Sequence, residues 1–211
     1  DLFSPIRQDW LDKTDDYWVG QRISRGVKET DGDNLDYHGP NVVLECSPLP
    51  FVQRAKLFKE GIRVVIPSHR RIPPESLTPR AKTHNYLNMV VANQEVQSID
   101  PEAWAVLLDI NGNLCEGMGS NVFTVRGGEV FTPREKFVLP GVSRQTVIDL
   151  AKGEGIALHE ADLDLYDAYN ADEVFLTSTS LCLCPVTKVN GVDIGPKGQV
   201  WGPVTRRLAD A

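Results

Sequence analysis

Apolar residues along the chain follow two different spacings, and each spacing predicts a different kind of element. The stretches YWVGQRISRGV (17–27), VVLEC (42–46) and IRVVI (62–66) are short and rich in β-branched residues, which is typical of strands. FVQRAKLFKEG (51–61) instead has apolar residues three and four positions apart and ends in glycine, which predicts a helix. The polar KETDGDNLDYHGPN (28–41) between the first two strands is predicted to be a turn-rich connection.

The second part of the chain follows RRIPPESLTPR, in which consecutive prolines exclude a regular helix or a central strand. Beyond it, Leu87 and Val90 begin a run at helical spacing, which predicts a helix. Ser143 is placed to cap a further helix in SRQTVIDLAKGEG, and glycines end that helix. The remaining predicted elements are strands in AWAVLLDI, NVFTV, VFTP, ALHEADL, EVFLTSTS and LCPVTKV, and a last helix in VTRRLADA.

These elements predict a mixed α/β fold with mostly short, hairpin-linked strands. Their order is not the alternating pattern of a dinucleotide-binding fold, and the sequence contains neither GxGxxG nor a Walker motif. We expect a smaller N-terminal α/β domain at residues 1–70, an interdomain linker at 71–81 and a larger C-terminal domain at 82–211.

Composition and charge exclude several classes of partner. The net charge of -7 and the isoelectric point near 5.1 leave no basic footprint of the kind that nucleic acid or an anionic membrane requires. The first stretch, DLFSPIRQDWLDKTDD, lacks the basic and apolar regions of a secretory signal, and no apolar run approaches about 20 residues. We therefore expect a cytoplasmic protein with no nucleic-acid or membrane partner.

The four cysteines are too sparse for a disulfide scaffold, which agrees with a reducing compartment. Cys182 and Cys184 alternate on a predicted strand and so share one face, but no histidine lies near them in sequence. Because a zinc site needs about four ligands, we predict buried, inert thiols and no metal site.

Three separate features can carry chemistry. Lys82, in RAKTHNYLNMVVANQEV, stands just before a predicted helix and supplies a primary amine. Glu116, in LCEGMGSNVFTV, follows an apolar strand and supplies a carboxylate. Val142 and Ser143 open a helix whose free N–H groups and dipole favour an anion, and the hydroxyl-rich turn at 177–180 can complete that anion site.

Each feature alone has an ordinary structural explanation, because single charged residues and polar turns usually lie in solvent. Together they match what pyridoxal phosphate requires. The amine reacts with its aldehyde, the carboxylate keeps its ring nitrogen protonated, and the anion site holds its phosphate. Pyridoxal phosphate chemistry is therefore the hypothesis that these residues raise in combination.

Four stretches then resemble, in the same order, the four sequence blocks of the fold-type IV pyridoxal phosphate enzymes: KTHNYLNMVVANQE, EGMGSNVFTV, LPGVSRQTVI and EVFLTSTSLCLCPV. That family includes the branched-chain and D-amino-acid aminotransferases, the (R)-selective amine transaminases and aminodeoxychorismate lyase. The resemblance covers residues 17–189 and implies two domains, the larger C-terminal one holding the cofactor on a mixed, barrel-like sheet with flanking helices. It also implies a further N-terminal stretch with a phosphate-clamping arginine, so we expect the N-terminal domain to be incomplete here.

The resemblance gives the matched residues around the cofactor ring a role. Lys82 would be the Schiff-base lysine and the proton shuttle between the α-carbon and the cofactor carbon. Tyr86, four residues on, would hydrogen-bond the ring hydroxyl oxygen. Glu116 would bind the pyridine nitrogen.

The resemblance likewise assigns the phosphate and the substrate carboxylate. Backbone N–H groups of Val142 and Ser143, with the Thr179 hydroxyl, would bind the phosphate. The main chain of Thr179 and Ser180 would lie near the substrate carboxylate. The implied reaction is a ping-pong transamination between an amino donor and a 2-oxo acid acceptor, carried out by a homodimer.

The member of the family is less closely specified than the family itself. D-amino-acid enzymes typically carry an Arg-x-His pair after the strand that resembles ISRG, and Lys28 and Glu29 in this chain count against that activity. NYLNMV favours the branched-chain-like transaminases, an (R)-amine transaminase stays open, and no feature favours the lyase. A non-catalytic cofactor-binding homologue is the alternative of a different class, and retention of Lys82 and Glu116 argues against it.

Overall fold

A computed structural model describes residues 17–31 and 34–211 of the chain. The chain divides into two compact units, Asp1–Phe51 and Val52–Ala211. Residues 1–16, which begin the predicted smaller domain, lie outside the described part, and so do the side chains of the acidic stretch 29–37.

The described part of the first unit, from residue 17 on, contains two separate antiparallel strand pairs. β1 (Tyr17–Ser24) pairs with β4 (Asn41–Pro48), and β2 (Val27–Asp31) pairs with β3 (Asn34–His38). The prediction of a turn-rich connection at 28–41 is therefore wrong. Its polar sequence still forms a hairpin, because hydrogen bonds between backbone N–H and C=O groups hold a strand pair together and do not require a pattern of apolar side chains.

The remaining strands and helices belong to the second unit, except that Phe51, the first residue of its first helix, is assigned to the first unit. The strands of the second unit are β5 (Ile62–Val65), β6 (Trp104–Leu108), β7 (Leu114–Gly117), β8 (Ser120–Arg126), β9 (Glu129–Pro133), β10 (Leu158–Ala161), β11 (Glu173–Ser178), β12 (Cys182–Val189) and β13 (Val192–Asp193). Its helices are α1 (Phe51–Glu60), α2 (Leu87–Ile99), α3 (Val142–Gly153), α4 (Leu165–Tyr169) and α5 (Pro203–Asp210), with a 3-10 turn at Glu135–Phe137.

Strands of the second unit form a closed ring. They are hydrogen-bonded in the order β8, β11, β12, β5, β6 and β7, and β7 pairs again with β8. The β12–β5 and β5–β6 pairs are parallel, whereas the other pairs of the ring are antiparallel. This arrangement confirms the predicted mixed, barrel-like sheet, and closure leaves the ring without an exposed strand edge.

The boundary between the two units differs from the boundary expected from the sequence. The proline-rich stretch suggested a smaller domain at 1–70 and a linker at 71–81, whereas the described chain divides after Phe51. The difference arises because β5, which precedes the prolines, is hydrogen-bonded between β12 and β6 and so belongs to the ring. The domain organisation of the full-length protein stays a prediction.

Alternation along the ring strands separates the apolar side chains into two layers. Val122 and Leu176 face one cluster, which also contains Ile62 and Val106. The intervening Phe123 and Phe175 belong to a second cluster with residues of α3 and α5. These two rings are register partners, and they stack with centroids 4.8 Å apart. The helices α3 and α5 therefore cover the outer face of β8 and β11.

The helix after the prolines buries a different face from the one its first apolar residues suggest. Met89, Ala92 and Val96 are buried in a third cluster with residues of β6. Leu87 and Val90, which begin the predicted apolar run, are 70% and 39% exposed. Met89, Ala92 and Val96 thus form the contact with the sheet. Apolar periodicity alone did not distinguish this face of the helix from the face that carries Leu87 and Val90.

None of the helices in the described part of the chain combines the length and the apolar character needed to cross a membrane.

Candidate functional site

A cavity of about 320 Å³ lies beside the start of α3. Of the site residues predicted from sequence, it is lined by Lys82, Tyr86, Glu116, Val142, Ser143 and Thr179. Ser180 is not among the lining residues. Four segments that are distant in sequence therefore meet around one space, which is large enough for a small organic molecule. The roles of these residues stay predictions.

Lys82 occupies the centre of a tight turn. The Thr83 N–H group donates to the Ala81 carbonyl at 2.8 Å, so the turn spans three residues. Tyr86 is the N-cap residue just before α2, and it packs against the cluster around Met89. The turn before it and the packed face of α2 after it thus fix the backbone position of Lys82. Its side chain is exposed and lines the cavity.

Glu116 forms a buried ion pair that sequence reasoning did not find. Its Oε1 atom accepts from Arg71 Nε at 2.9 Å, and the two side chains are 6% and 13% exposed. The other oxygen, Oε2, accepts from the Leu139 N–H group at 2.9 Å. Arg71 also lines the cavity. Its position within the proline-rich stretch gave no signal, because its partner lies 45 residues away.

The backbone around Arg71 is held on both sides. The Arg71 N–H group donates to the Leu108 carbonyl at 2.8 Å. Asn88 of α2 donates to the carbonyl of Arg70 at 2.9 Å and accepts from the N–H group of Ile72 at 3.2 Å. The proline-rich stretch is thus anchored to the ring and to α2 at the residue that pairs with the carboxylate.

Burial and charge act on Glu116 in opposite directions. Burial raises the pKa of Glu116 above its ordinary value, against the lowering effects of the Leu139 N–H group, Arg71 and Lys82. The carboxylate is therefore removed from water, but a guanidinium and an amine lie close enough to favour its ionised form. A cationic N–H group entering the cavity would add a further favourable partner.

Glu116 belongs to a row of polar side chains across three strands. It is the register partner of Asn121 across β7 and β8, and Asn121 is the register partner of Thr177 across β8 and β11. All three are buried, and all three line the cavity. The Thr177 hydroxyl has no hydrogen-bond partner among the described residues. Asn121 and Thr177 each lie two residues from Phe123 and Phe175 on the same strands, so they share the face of those rings. The row forms the polar floor of the cavity.

The start of α3 differs from the prediction by one detail. Its N-cap is Gly141, and no side chain caps it, so the assignment of Ser143 as the capping residue is wrong. The extended backbone of Gly141, with ψ of 143°, already begins the helix at Val142 and places Ser143 inside the first turn. The buried Arg144 anchors this turn by donating to the Pro133 carbonyl at 3.1 Å. First-turn N–H groups therefore stay free of side-chain caps at the cavity.

The site combines an amine, a buried carboxylate with its own cation, and an uncapped helix N-terminus. This set of groups can bind a molecule that carries a carbonyl, a protonated ring nitrogen and an anionic group. Among the described residues, no group of three or more His, Cys, Asp and Glu side chains is arranged to hold a metal ion. Cys182 and Cys184 are both free thiols. Cys184 is buried as predicted, whereas Cys182 is exposed at the start of β12, so the prediction of a buried thiol is wrong for Cys182.

Comparison with known proteins gives a consistent result. The family model of the class IV amino-transferases matches residues 17–189. A Methanocaldococcus jannaschii protein, named provisionally as a branched-chain-amino-acid aminotransferase, is 36% identical over 196 residues, which is 92% of this chain and 66% of the relative. The branched-chain-amino-acid aminotransferase of Escherichia coli K12 is 34% identical over 191 residues, covering 90% of this chain and 59% of the relative.

Solved structures agree in fold. The branched-chain amino acid aminotransferase from Escherichia coli superposes with a TM-score of 0.79 at 30% identity, over 92% of this chain and 62% of that chain. The T.th. enzyme of the same name, solved with pyridoxamine 5'-phosphate, gives a TM-score of 0.80 at 28% identity over the same shares. The present chain thus spans about three fifths of the length of these proteins.

Proposed function

Because the chain belongs to the class IV amino-transferases, we propose that the full-length protein is a pyridoxal phosphate-dependent aminotransferase. It moves an amino group from a branched-chain-like amino acid to a 2-oxo acid. The observation that carries this proposal is the meeting of Lys82, the Arg71–Glu116 pair and the uncapped start of α3 around one cavity. The names of the relatives support the donor class.

The groups that line the cavity fit pyridoxal 5'-phosphate, which is the cofactor of this family. Lys82 offers the amine for its aldehyde, Glu116 the carboxylate for its ring nitrogen, and Tyr86 a phenol for its ring hydroxyl. A second set would hold its phosphate, namely the backbone of Val142 and Ser143 and the hydroxyl of Thr179. When bound, the cofactor supplies an electron sink that stabilises negative charge at the α-carbon of an amino acid.

The protein's own residues supply the remaining steps. Lys82 Nζ would accept the α-proton of the amino donor and later return a proton to the bound molecule. Glu116 would hold a proton on the ring nitrogen, and Arg71 favours the ionised form of Glu116 against the effect of its burial. The main chain of Thr179 and Ser180 orients the substrate carboxylate. We further propose a cytoplasmic homodimer, in keeping with the family resemblance.

An absorbance experiment on the purified full-length protein tests this function. We expect a visible pyridoxal band that borohydride abolishes, with the reduced label on the peptide that contains Lys82. Leucine, isoleucine or valine, added without an acceptor, should convert the band to that of the aminated cofactor. D-alanine and (R)-1-phenylethylamine, offered separately, should leave the band unchanged.

Two variants make the experiment specific. Lys82→Ala should lose the borohydride-stable label and all turnover, whereas Lys152→Ala, which removes an exposed lysine of α3, should retain both. Absence of a pyridoxal band after the cofactor has been added would contradict the enzyme assignment and favour a non-catalytic homologue. Conversion by D-alanine or the (R)-amine alone would overturn the donor class.

A further inference from the structure

The segment Leu139–Gly141 leads into α3, and side chains of the β7–β8 pair form hydrogen bonds with its backbone. The Leu139 N–H group donates to Glu116 Oε2 at 2.9 Å. The carbonyl of the same residue accepts from Asn121 Nδ2 at 3.0 Å. Since Glu116 and Asn121 are register partners on β7 and β8, two neighbouring side chains bind the two polar backbone groups of a single residue.

Asn121 also contacts the other end of this segment. It is buried, and a Cβ atom added to Gly141 would lie only 2.3 Å from Asn121 Oδ1. The side chain therefore packs directly against the backbone that caps α3. Gly141 is the last residue before the helix, and its carbonyl accepts the N–H group of Gln145 at 2.9 Å. Asn121 thus packs against the residue after which the helix begins.

These contacts connect two parts of the cavity lining. Glu116 and Val142, the first residue of α3, both line the cavity, and so does Asn121. A rigid ligand that is bound at both ends requires a fixed separation between the two binding groups. Asn121 lies on β8, which pairs with the strand of Glu116, and it donates a hydrogen bond to Leu139 of this segment.

We infer that Asn121 is a positioning residue, which sets the distance between the carboxylate of Glu116 and the anion-binding start of α3. This inference rests on the proposed function, in which those two groups bind the ring nitrogen and the phosphate of one molecule. Asn121 acts through Leu139 and Gly141, whose backbone it contacts. Its loss should therefore impair binding of the phosphate more than binding of the ring.

The test compares two ligands that differ only in the phosphate. Dissociation constants for pyridoxal 5'-phosphate and for pyridoxal are measured by absorbance and fluorescence on the cofactor-depleted full-length protein. In Asn121→Ala, affinity for pyridoxal 5'-phosphate should fall about tenfold or more, the scale of one buried polar contact, while affinity for pyridoxal changes less than about threefold. The preference for the phosphorylated ligand is the quantity that must fall.

A matched control separates positioning from general stability. Thr132 of β9 is buried, and its hydroxyl donates to the carbonyl of Val122, the residue next to Asn121, at 2.9 Å. Thr132→Val removes a hydrogen bond to the same strand away from the cavity, so the preference should stay within about twofold of the wild-type value.

A second variant keeps the test decisive if Asn121→Ala does not fold. Gly141→Ala retains Asn121 but places a methyl group against its Oδ1 atom, and it should lower the same preference. Equal losses for both ligands in both variants, or no loss in either, would overturn the inference. A wild-type protein that forms no borohydride-stable link at Lys82 would instead overturn the proposed function, so the two failures are distinguishable.

Discussion

Arg71 and Glu116, 45 residues apart in sequence, form an ion pair with 2.9 Å between Nε and Oε1 and with both side chains largely buried. Removing one partner of a buried pair leaves an uncompensated charge. Arg71→Met should therefore lower the free energy of unfolding by about 3 kcal/mol. Urea unfolding of Arg71→Met, Glu116→Gln and the double variant measures the coupling, and additive single effects would show that the pair does not interact.

Glu116 should give opposite pH dependences to folding and to cofactor binding. Its raised pKa means that folding alone favours the protonated form, so the stabilising contribution is present at low pH and is lost as pH rises through the folded pKa. Cofactor binding needs the ionised form, so affinity should instead fall as pH drops through that value. Titration of wild type and Glu116→Gln from acidic to neutral pH measures both.

In Glu116→Gln the acidic loss of cofactor affinity should disappear, since glutamine does not ionise. Turnover should drop roughly a hundredfold, the scale for one preorganised electrostatic contact. An unchanged acidic limb in this variant would assign the titration to another group.

Glu95 should stabilise the folded chain at neutral pH and lose that effect in acid. Its carboxylate accepts from the Ser68 N–H group at 2.7 Å and contacts His69 Nδ1 at 2.6 Å. These contacts, the Ser68 N–H group first, lower the pKa of Glu95 to about 2. The contribution is therefore present above the unfolded carboxyl pKa and is lost as pH falls towards 2.

We expect Glu95→Gln to be less stable than wild type by roughly 1 kcal/mol at pH near 7, because the carboxylate is partly exposed. The difference should shrink below pH of about 4. Urea unfolding at both pH values measures it, with Glu60→Gln at the exposed end of α1 as the control. A difference that is independent of pH would contradict the assignment.

The same substitution at two glycines should have opposite effects. Glu173 caps α5 by accepting from the N–H groups of Val204 at 2.9 Å and Thr205 at 2.7 Å, and a Cβ at Gly202 would lie 2.0 Å from its Cδ atom. Gly202→Ala should thus destabilise by about 2 kcal/mol. Gly153→Ala, at the end of α3 with open space around it, should stabilise by up to about 1 kcal/mol. Thermal unfolding measures both changes in stability, and changes of the same sign in the two variants would contradict this prediction.

Elements with strong local signals were predictable from the sequence. The hairpin of β8 and β9 turns at Gly127 and Gly128, both with positive φ, which glycine adopts without steric cost. The end of α3 likewise coincides with Gly153 and Gly155. The motif residues that meet at the cavity were predicted through family resemblance, because periodicity does not encode which loops converge.

Features that depend on distant partners were not predictable. Arg71 became part of the site only through a contact with Glu116 across the fold, and Asn121 only through its contact with Leu139. The hairpin of β2 and β3 lacked an apolar pattern, since its pairing rests on backbone groups. Sequence thus identified reactive side chains, whereas the residues that hold them in place required the structure.

Closure of the ring has a consequence for heating. Each of the six strands has a neighbour on both sides, so none can detach from an edge without breaking two sets of hydrogen bonds. Glu116, Asn121 and Thr177 lie on adjacent strands of that ring and must lose their alignment together. Affinity for the cofactor should therefore persist nearly unchanged up to the melting transition and vanish within it, without gradual decline at lower temperatures.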